Sequence, residues 1–277
     1  MEYAPIADPA GPIAVAERDL LYAAFLVMMI VVIPVFVLAA FFAYRYRANG
    51  GKGTHDPEWS YSAKIDAVIW IVPTIIVIAL GYFLWTSTYK LNPYRPLRSD
   101  IPALEIQAVA LDWKWLFIYP QYGIATVNEV AMPVDRPVAF KITSDTVMNS
   151  FSIPALAGQI FAMAGMTTQL HLLASKEGTF RGSNTQYSGD GFANQHFSAV
   201  AMTNNNFEAW TKKVGEAGAA LDAAAYARLE KPSIGHPVEY YSSYEPGLFG
   251  TILIKYAASQ DPADLVCTAS VQDRQIN

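Results

Sequence analysis

Two long stretches of the chain, 20–44 and 67–89, carry no charged residue. A helix needs roughly 20 apolar residues to cross the hydrocarbon core of a bilayer, and both stretches exceed that. The pattern therefore predicts a transmembrane hairpin. Pro34 and Pro73 interrupt the runs, which membrane helices tolerate by bending. Tyr22, Phe41, Phe42, Tyr44 and Tyr46 sit toward the ends of the first run, and Trp70, Tyr82, Trp85 and Tyr89 toward those of the second. These positions suit rings at headgroup level. From Leu104 the pattern changes to short β-type runs, LEIQAVAL, WKWLFIYP, ATVNEVAM, PVAFKIT, NSFSIPAL, TQLHLLA and FSAVAM, separated by Gly, Pro, Asp and Asn. Such runs predict an all-β Greek-key sandwich or barrel. Beyond Asn204, Phe207, Trp210 and Val214 fall at helical spacing, and Leu221, Tyr226 and Leu229 repeat the idea loosely. The aromatics of 236–256 read as core packing. The predicted organisation is a tail over 1–19, a hairpin over 20–89, a proline-rich linker over 90–103, a β-domain over 104–203, a helical and aromatic-rich region over 204–256 and a flexible tail over 257–277.

Composition sharpens this picture. Of 277 residues, 53% are hydrophobic and 16% charged, against a usual ~25% charged. That deficit does not fit an ordinary soluble enzyme, and the apolar content excludes a disordered chain. A net charge of −5 with no basic run argues against nucleic acid as a partner. The single cysteine, Cys267, excludes an internal disulfide, a zinc ribbon, an iron–sulfur cluster and any centre that needs two thiolates.

Charge also bears on orientation. The loop between the runs holds Arg45, Arg47, Lys52 and Lys64, whereas the N-terminal tail holds only Arg18. Lys90, Arg95 and Arg98 follow the second run and even the tally, so the first helix decides. The expectation is a cytoplasmic loop, with both termini and the β-domain on the outer side of the membrane. The start has no basic segment, apolar segment or cleavage site before residue 20. No Cys precedes Cys267, so lipid anchoring has no support in the sequence.

A β-sandwich tethered to a membrane invites a redox reading. A mononuclear copper site of the blue type needs His, Cys thiolate, His and a weak Met. The candidates are His171, His196, His236, Met202 and Cys267. Cys267 lies beyond the sandwich with no His or Met after it, and His171 alternates within TQLHLLA as a strand residue. His196 is a single imidazole, and His55 lies in the opposite loop.

The arrangement resembles subunit II of the haem-copper terminal oxidases over roughly residues 10–256. That resemblance implies a cupredoxin-like sandwich. In cytochrome c oxidases this subunit carries a binuclear copper centre, its first His ahead of an S-F/W-x-I/V-P strand and its other ligands in C-x-E-x-C-G-x-x-H-x-x-M. Here TVMNSFSIP, QIFAMAGM and GTFRGSNTQYSGDGF carry the likeness, but Asn149 stands at the first His, Asn184 and Ser188 at the two Cys, and Gln186 at the Glu. The loop reads as longer after Gly189, leaving the later His and Met without counterparts. Asn and Ser are neutral, hard donors that hold copper poorly. No metal is therefore expected in this chain, and Asn149, Gln186, Ser188 and Asp190 read as relics lining a vanished site.

LDWKWLFIYPQYGIATVNEVAMP, TVMNSFSIP, AMAGM and YSGDGF are more closely similar to subunit II of the bo-type ubiquinol oxidases. This resemblance implies a four-subunit proton pump that oxidises ubiquinol and reduces oxygen to water. Haems, copper and the quinol site would belong to subunit I, with subunits III and IV and the lipid bilayer as further partners. This chain would then be a structural, assembly and proton-entry subunit without a redox centre of its own. The rival readings are a copper-bearing cytochrome c oxidase subunit II and a membrane-tethered cupredoxin-like binding module.

Asp66, at the cytoplasmic entry of the second run, has two readings. One is an acid in a helix's first turn, favoured by the dipole by about 0.3–1 kcal/mol. The other is a proton collector, since the family places a Glu here near the mouth of a proton path, and a boundary carboxylate is partly desolvated. Trp113 and Trp115 are expected on one face of a strand, in packing or in contact with subunit I. In copper-bearing relatives the first of these resembles the electron entry point. Glu129 is expected on a turn as a solvated charge, the alternative being contact with subunit I.

Overall fold

The computed structural model describes residues 6–47, 57–58, 60–216 and 218–257; His55 and Cys267 lie outside them. The described residues form two compact units. One is 16–92. The other joins the residues up to Val15 to those from Pro93 onward.

The first unit holds most of α1 (Pro12–Arg45) and α2 (Ala63–Lys90). Both helices are long and apolar enough to cross a membrane, and the most apolar stretch of each is wholly unburied. Their side chains are hydrophobic all round, as lipid-facing helices are. Hydroxyls in α2 satisfy themselves on the preceding turn: Thr74 donates to Trp70 O at 2.7 Å and Thr88 to Leu84 O at 2.8 Å. The tail expected over 1–19 is helical from Pro12, because a proline at the first helical position gives up an N–H that has no intrahelical partner. It is also docked. The Ala10 N–H donates to Ala155 O and Ala10 O accepts from the Ser175 N–H, both at 2.7 Å. A Cβ on Gly11 would lie 2.4 Å from Leu173 O, so only glycine lets the backbones approach this closely.

The second unit is a sandwich. Its strands in chain order are β1 (Leu104–Leu111), β2 (Lys114–Tyr119), β3 (Ile124–Val127), β4 (Glu129–Pro133), β5 (Val138–Ser144), β6 (Asn149–Ser152), β7 (Gln159–Ala162), β8 (Thr168–Leu172), β9 (Gly178–Asn184) and β10 (His196–Met202). After them come α3 (Asn204–Gly215), β11 (Ala220–Leu221), α4 (Ala223–Leu229), β12 (Glu239–Tyr241), β13 (Ser243–Tyr244) and α5 (Leu248–Ala257). One sheet has the order β12-β3-β2-β1-β5-β8 and the other β4-β10-β9-β6-β7. The parallel pairs β1·β5 and β4·β10 mark the cupredoxin-like crossovers.

Between the sheets Trp115, Phe117, Phe140, Phe151 and Phe197 pack ring against ring, with centroids 5.0 Å apart for Phe140 and Phe151 and 5.1 Å for Phe151 and Phe197. Each buried ring contributes about 2–3 kcal/mol of transfer free energy. Tyr119 bridges the two sheets. Its hydroxyl accepts from the Ala131 N–H at 2.8 Å and donates to Ala131 O at 3.0 Å, and burial pushes its pKa far up. A second core lies on the outer face of β1, β2 and β3, where Val109, Leu111, Leu116 and Ile118 meet Leu221, Leu229, Tyr241, Phe249 and Ile252.

The run ATVNEVAM is two strands rather than one. Asn128, at φ 58°, divides it, and the chain passes there from the first sheet to the second. Asparagine tolerates the left-handed region because its short amide bonds locally. Here the Asn128 amide accepts from Trp115 N at 2.9 Å and donates to His236 O at 2.8 Å. β7 and β9 were not among the predicted runs. β9 reads GTFRGSN and carries only Phe180 as a large apolar residue, too little for a hydrophobic period.

Candidate functional site

Of the anticipated relic positions, Asn149, Asn184 and Ser188 converge where the ends of β1, β6 and β9 meet the 184–196 loop. Asn149, fully buried, opens β6. Asn184, also buried, closes β9. The Asn184 amide donates to Asn149 Oδ1 at 2.7 Å and to Gln195 Oε1 at 2.8 Å, with Ser188 Oγ at 3.1 Å. Its carbonyl oxygen accepts from the Ser150 and Gln186 backbone N–H groups at 2.8 and 2.9 Å. The Ser188 hydroxyl donates to Gln195 Oε1 at 2.8 Å, and the Gln195 amide reaches back to Leu111 O at 3.3 Å. Asn149 donates to Val147 O at 2.8 Å. These buried polar groups satisfy one another, so the ring is stable without any ion to balance it.

Gln186 enters only through its backbone, and Asp190 is exposed rather than lining the ring. Gln195 was missed by sequence reasoning, which took the loop to be longer after Gly189. The structure corrects this. A short 3-10 turn over Phe192–Asn194 brings Gln195 onto Asn184, and the spacing C-x-E-x-C-G-x-x-H-x-x-M, counted from Asn184, lands on Phe192 and Gln195 without insertion. A polar side chain one step before a strand was the signal that could have found it.

Trp113 and Trp115 do not share a face. Trp113 sits in the turn between β1 and β2 at φ 63°, uncommon for so bulky a residue. Its indole N–H donates to Ser188 O at 3.1 Å, and a Cβ on Gly191 would come within 2.2 Å of its ring. Trp115, in contrast, is buried in the inter-sheet core. Alternation breaks because the left-handed turn at Trp113 reverses the side-chain direction.

Glu129 is no solvated turn charge either. It opens β4, and its carboxylate accepts from the Tyr240 hydroxyl at 2.6 Å and the Trp210 indole at 3.3 Å. Burial, reinforced by that carboxylate, pushes the Tyr240 pKa up to about 12.

The remaining candidates are dispersed. His171 in β8 has Nδ1 3.0 Å from Pro93 O, His196 is exposed at the start of β10, and Met202 lies at the opposite end of the same strand. His236 sits in the 230–239 loop between Ser233 Oγ, 3.1 Å from Nδ1, and Glu239 Oε1, 3.3 Å from Nε2. Among the described residues no three His, Cys, Asp or Glu side chains gather as a metal group. The donor chemistry of the ring decides against copper: amides and a hydroxyl, already engaged with one another, offer no soft or anionic ligand. The residues present do not fit a copper centre. Asp66 is exposed in the first turn of α2, where its N–H donates to Ser62 O at 2.9 Å.

Comparison with known proteins agrees with this architecture. Residues 75–200 match the family Cytochrome C oxidase subunit II, periplasmic domain, and 216–260 match the COX Aromatic Rich Motif. The chain is 52% identical over 249 residues to the cytochrome bo(3) ubiquinol oxidase subunit 2 of Pseudomonas aeruginosa, covering 90% of this chain and 75% of that one. It is 45% identical to the ubiquinol oxidase subunit 2 of Acetobacter aceti, covering 91% and 82%. It is 38% identical to the quinol oxidase subunit 2 of Bacillus subtilis, covering 83% and 72%. The periplasmic domain of subunit II of cytochrome oxidase from Bradyrhizobium japonicum aligns over 43% of this chain and 96% of its own, with 22% identity and a TM-score of 0.40. A helical hairpin followed by a cupredoxin-like sandwich and an aromatic-rich C-terminal region is the build of an oxidase subunit II. The chain belongs to the ubiquinol oxidase subunit 2 family, and with its two apolar helices it is a membrane protein.

Proposed function

We propose that this chain is the subunit II of a proton-pumping ubiquinol oxidase that oxidises ubiquinol and reduces oxygen to water, and that it carries no redox centre itself. The observation that supports this most is the ring of Asn149, Asn184, Ser188 and Gln195, which fills with mutual hydrogen bonds the place where a copper-bearing subunit would need thiolate and imidazole. Without such a relay, electrons from a water-soluble donor have no path through this sandwich. A membrane-dissolved quinol delivering to a neighbouring subunit I needs none. Haems, copper and the quinol site then lie in subunit I, with subunits III and IV completing the assembly.

The same reading places the sandwich on the periplasmic side. The chain leaves that unit at Val15 and returns to it at Pro93, so two membrane crossings bring it back to one side. Four basic residues in the intervening loop favour a cytoplasmic loop, and Asp66 then stands at the cytoplasmic mouth of α2 as a proton-entry carboxylate.

The test is purification of the complex in mild detergent. Co-purifying haem in the reduced-minus-oxidised spectrum, with turnover on ubiquinol and none on cytochrome c, supports the proposal. A complex without haem would favour a tethered binding module. Copper stoichiometric with this chain, with a near-infrared mixed-valence band, would mean a cytochrome c oxidase subunit.

A further inference from the structure

The C-terminal region grips the sandwich at one buried carboxylate. Asp145, in the loop between β5 and β6, has a fully buried side chain. It accepts from the Tyr226 hydroxyl of α4 and from Lys255 Nζ of α5, the latter at 2.8 Å. Its backbone oxygen accepts from the Tyr256 hydroxyl at 2.9 Å. Lys255 also pairs with Glu230 at the end of α4. Burial works against the Lys255 charge, but the bonds to Asp145 and Glu230 outweigh it and hold its pKa above the ordinary lysine value. Lys114, fully buried in the neighbouring β2, donates to Lys231 O at 2.8 Å and Asp112 O at 3.2 Å.

Asp145 is also part of the loop that positions the polar ring. Its N–H donates to Ala110 O at 2.9 Å. Next to it, the Ser144 hydroxyl donates to Val147 O at 2.8 Å and lies 3.3 Å from the Asn149 amide. Asn149 in turn meets Asn184. Hydrogen bonds therefore run from α4 and α5 to Asp145, the peptide bond links Asp145 to Ser144, and hydrogen bonds continue from Ser144 to Asn149, Asn184 and Gln195.

We infer that the aromatic-rich C-terminal region is a strap that locks the 144–149 and 184–195 loops through Asp145, making strap and loops one cooperative unit. Its apolar face, Leu248, Phe249 and Ile252, supplies adhesion to the outer face of the sheet. The Asp145 contacts supply register, since hydrogen bonds to a charged group are directional and stronger than neutral ones. This goes beyond the oxidase reading, and its readout is independent of turnover.

The test is hydrogen–deuterium exchange on the purified, assembled complex, comparing Tyr226→Phe, Lys255→Met, Lys255→Arg and Asp145→Asn with the parent. Tyr226→Phe removes its bond to the carboxylate alone, and Lys255→Met removes its bond there together with the Glu230 pair; neither adds bulk, so folding does not hinge on Asp145→Asn alone. The expected result is exchange about tenfold faster in 144–149, 184–195 and α5 together, unchanged protection in β1 and β2, and recovery in Lys255→Arg relative to Lys255→Met. Coupling free energies are reciprocal, so Asn184→Ala at the far end should speed exchange in α5. Loosening of α4 and α5 alone, uniform loosening of the sandwich, or no change at the 144–149 and 184–195 loops would each overturn the inference.

Discussion

The Asn184 side chain donates to Asn149 Oδ1 across 2.7 Å, joining the end of β9 to the start of β6 inside the sandwich. Both residues are buried, so the cost of breaking this contact is the cost of stranding polar groups. Asn184→Ala leaves the Ser150 and Gln186 N–H groups and the Asn149 carbonyl oxygen without their partner. Each stranded group costs about 1–3 kcal/mol, and a loss of about 3 kcal/mol overall is expected. Asn149→Ala should cost less, because only one end of the ring opens, and the double variant should be less destabilised than the sum. Thermal denaturation of the complex, followed by near-UV circular dichroism, checks both statements.

Gly191→Ala would set a methyl group 2.2 Å from the Trp113 ring, a contact that only displacement relieves. Overpacking of this kind costs about 1–3 kcal/mol. The indole would lose its bond to Ser188 O, so its fluorescence should shift to the red while the rest of the sandwich keeps its exchange protection. A parent-like spectrum and melting point would show that the loop yields without strain.

His236 introduces a pH dependence on the acid side. Burial lowers its pKa below the ordinary 6.5; Glu239 opposes and Lys114 adds to the effect. The fold thus favours the neutral ring, and the unfolded chain binds more protons wherever pH lies between the two values. The contribution is fully present above pH 6.5 and is lost as pH falls through the lowered folded value. His236→Asn should flatten the melting-temperature profile on the acid side of pH 6.5, and an unchanged slope in that variant would count against the assignment.

Asp66→Asn removes the carboxylate at the start of α2 while keeping its size. If that carboxylate collects protons, oxygen consumption by the assembled complex should fall several-fold and haem content should not change. Full turnover at parent haem content would leave only the helix-dipole role, worth about 0.3–1 kcal/mol.

Copper titration gives a direct reading of the ring. The expected outcome is no saturable binding by this chain and no near-infrared band. Amide and hydroxyl donors cannot compete for either copper valence with thiolate and imidazole.

Local physics made the apolar hairpin and most of the strands legible in the sequence, and the resemblance to oxidase subunit II marked Asn149, Asn184 and Ser188 as standing at copper-ligand positions. Charge-free runs, period-two alternation and the identities of Asn149, Asn184 and Ser188 can each be read without knowing what lies across from them. The tertiary structure alone decided the rest. Trp113 and Trp115 part company because of one left-handed turn, and Gln195 reaches Asn184 because a 3-10 turn closes the loop. Glu129 finds Tyr240 and Trp210, and Asp145 finds Tyr226 and Lys255, across separations of 81–111 residues. A buried carboxylate and its donors leave no periodicity along a chain. Their pairing is imposed by which surfaces the hydrophobic faces bring together, and that is settled only when the sandwich and its C-terminal region close on each other.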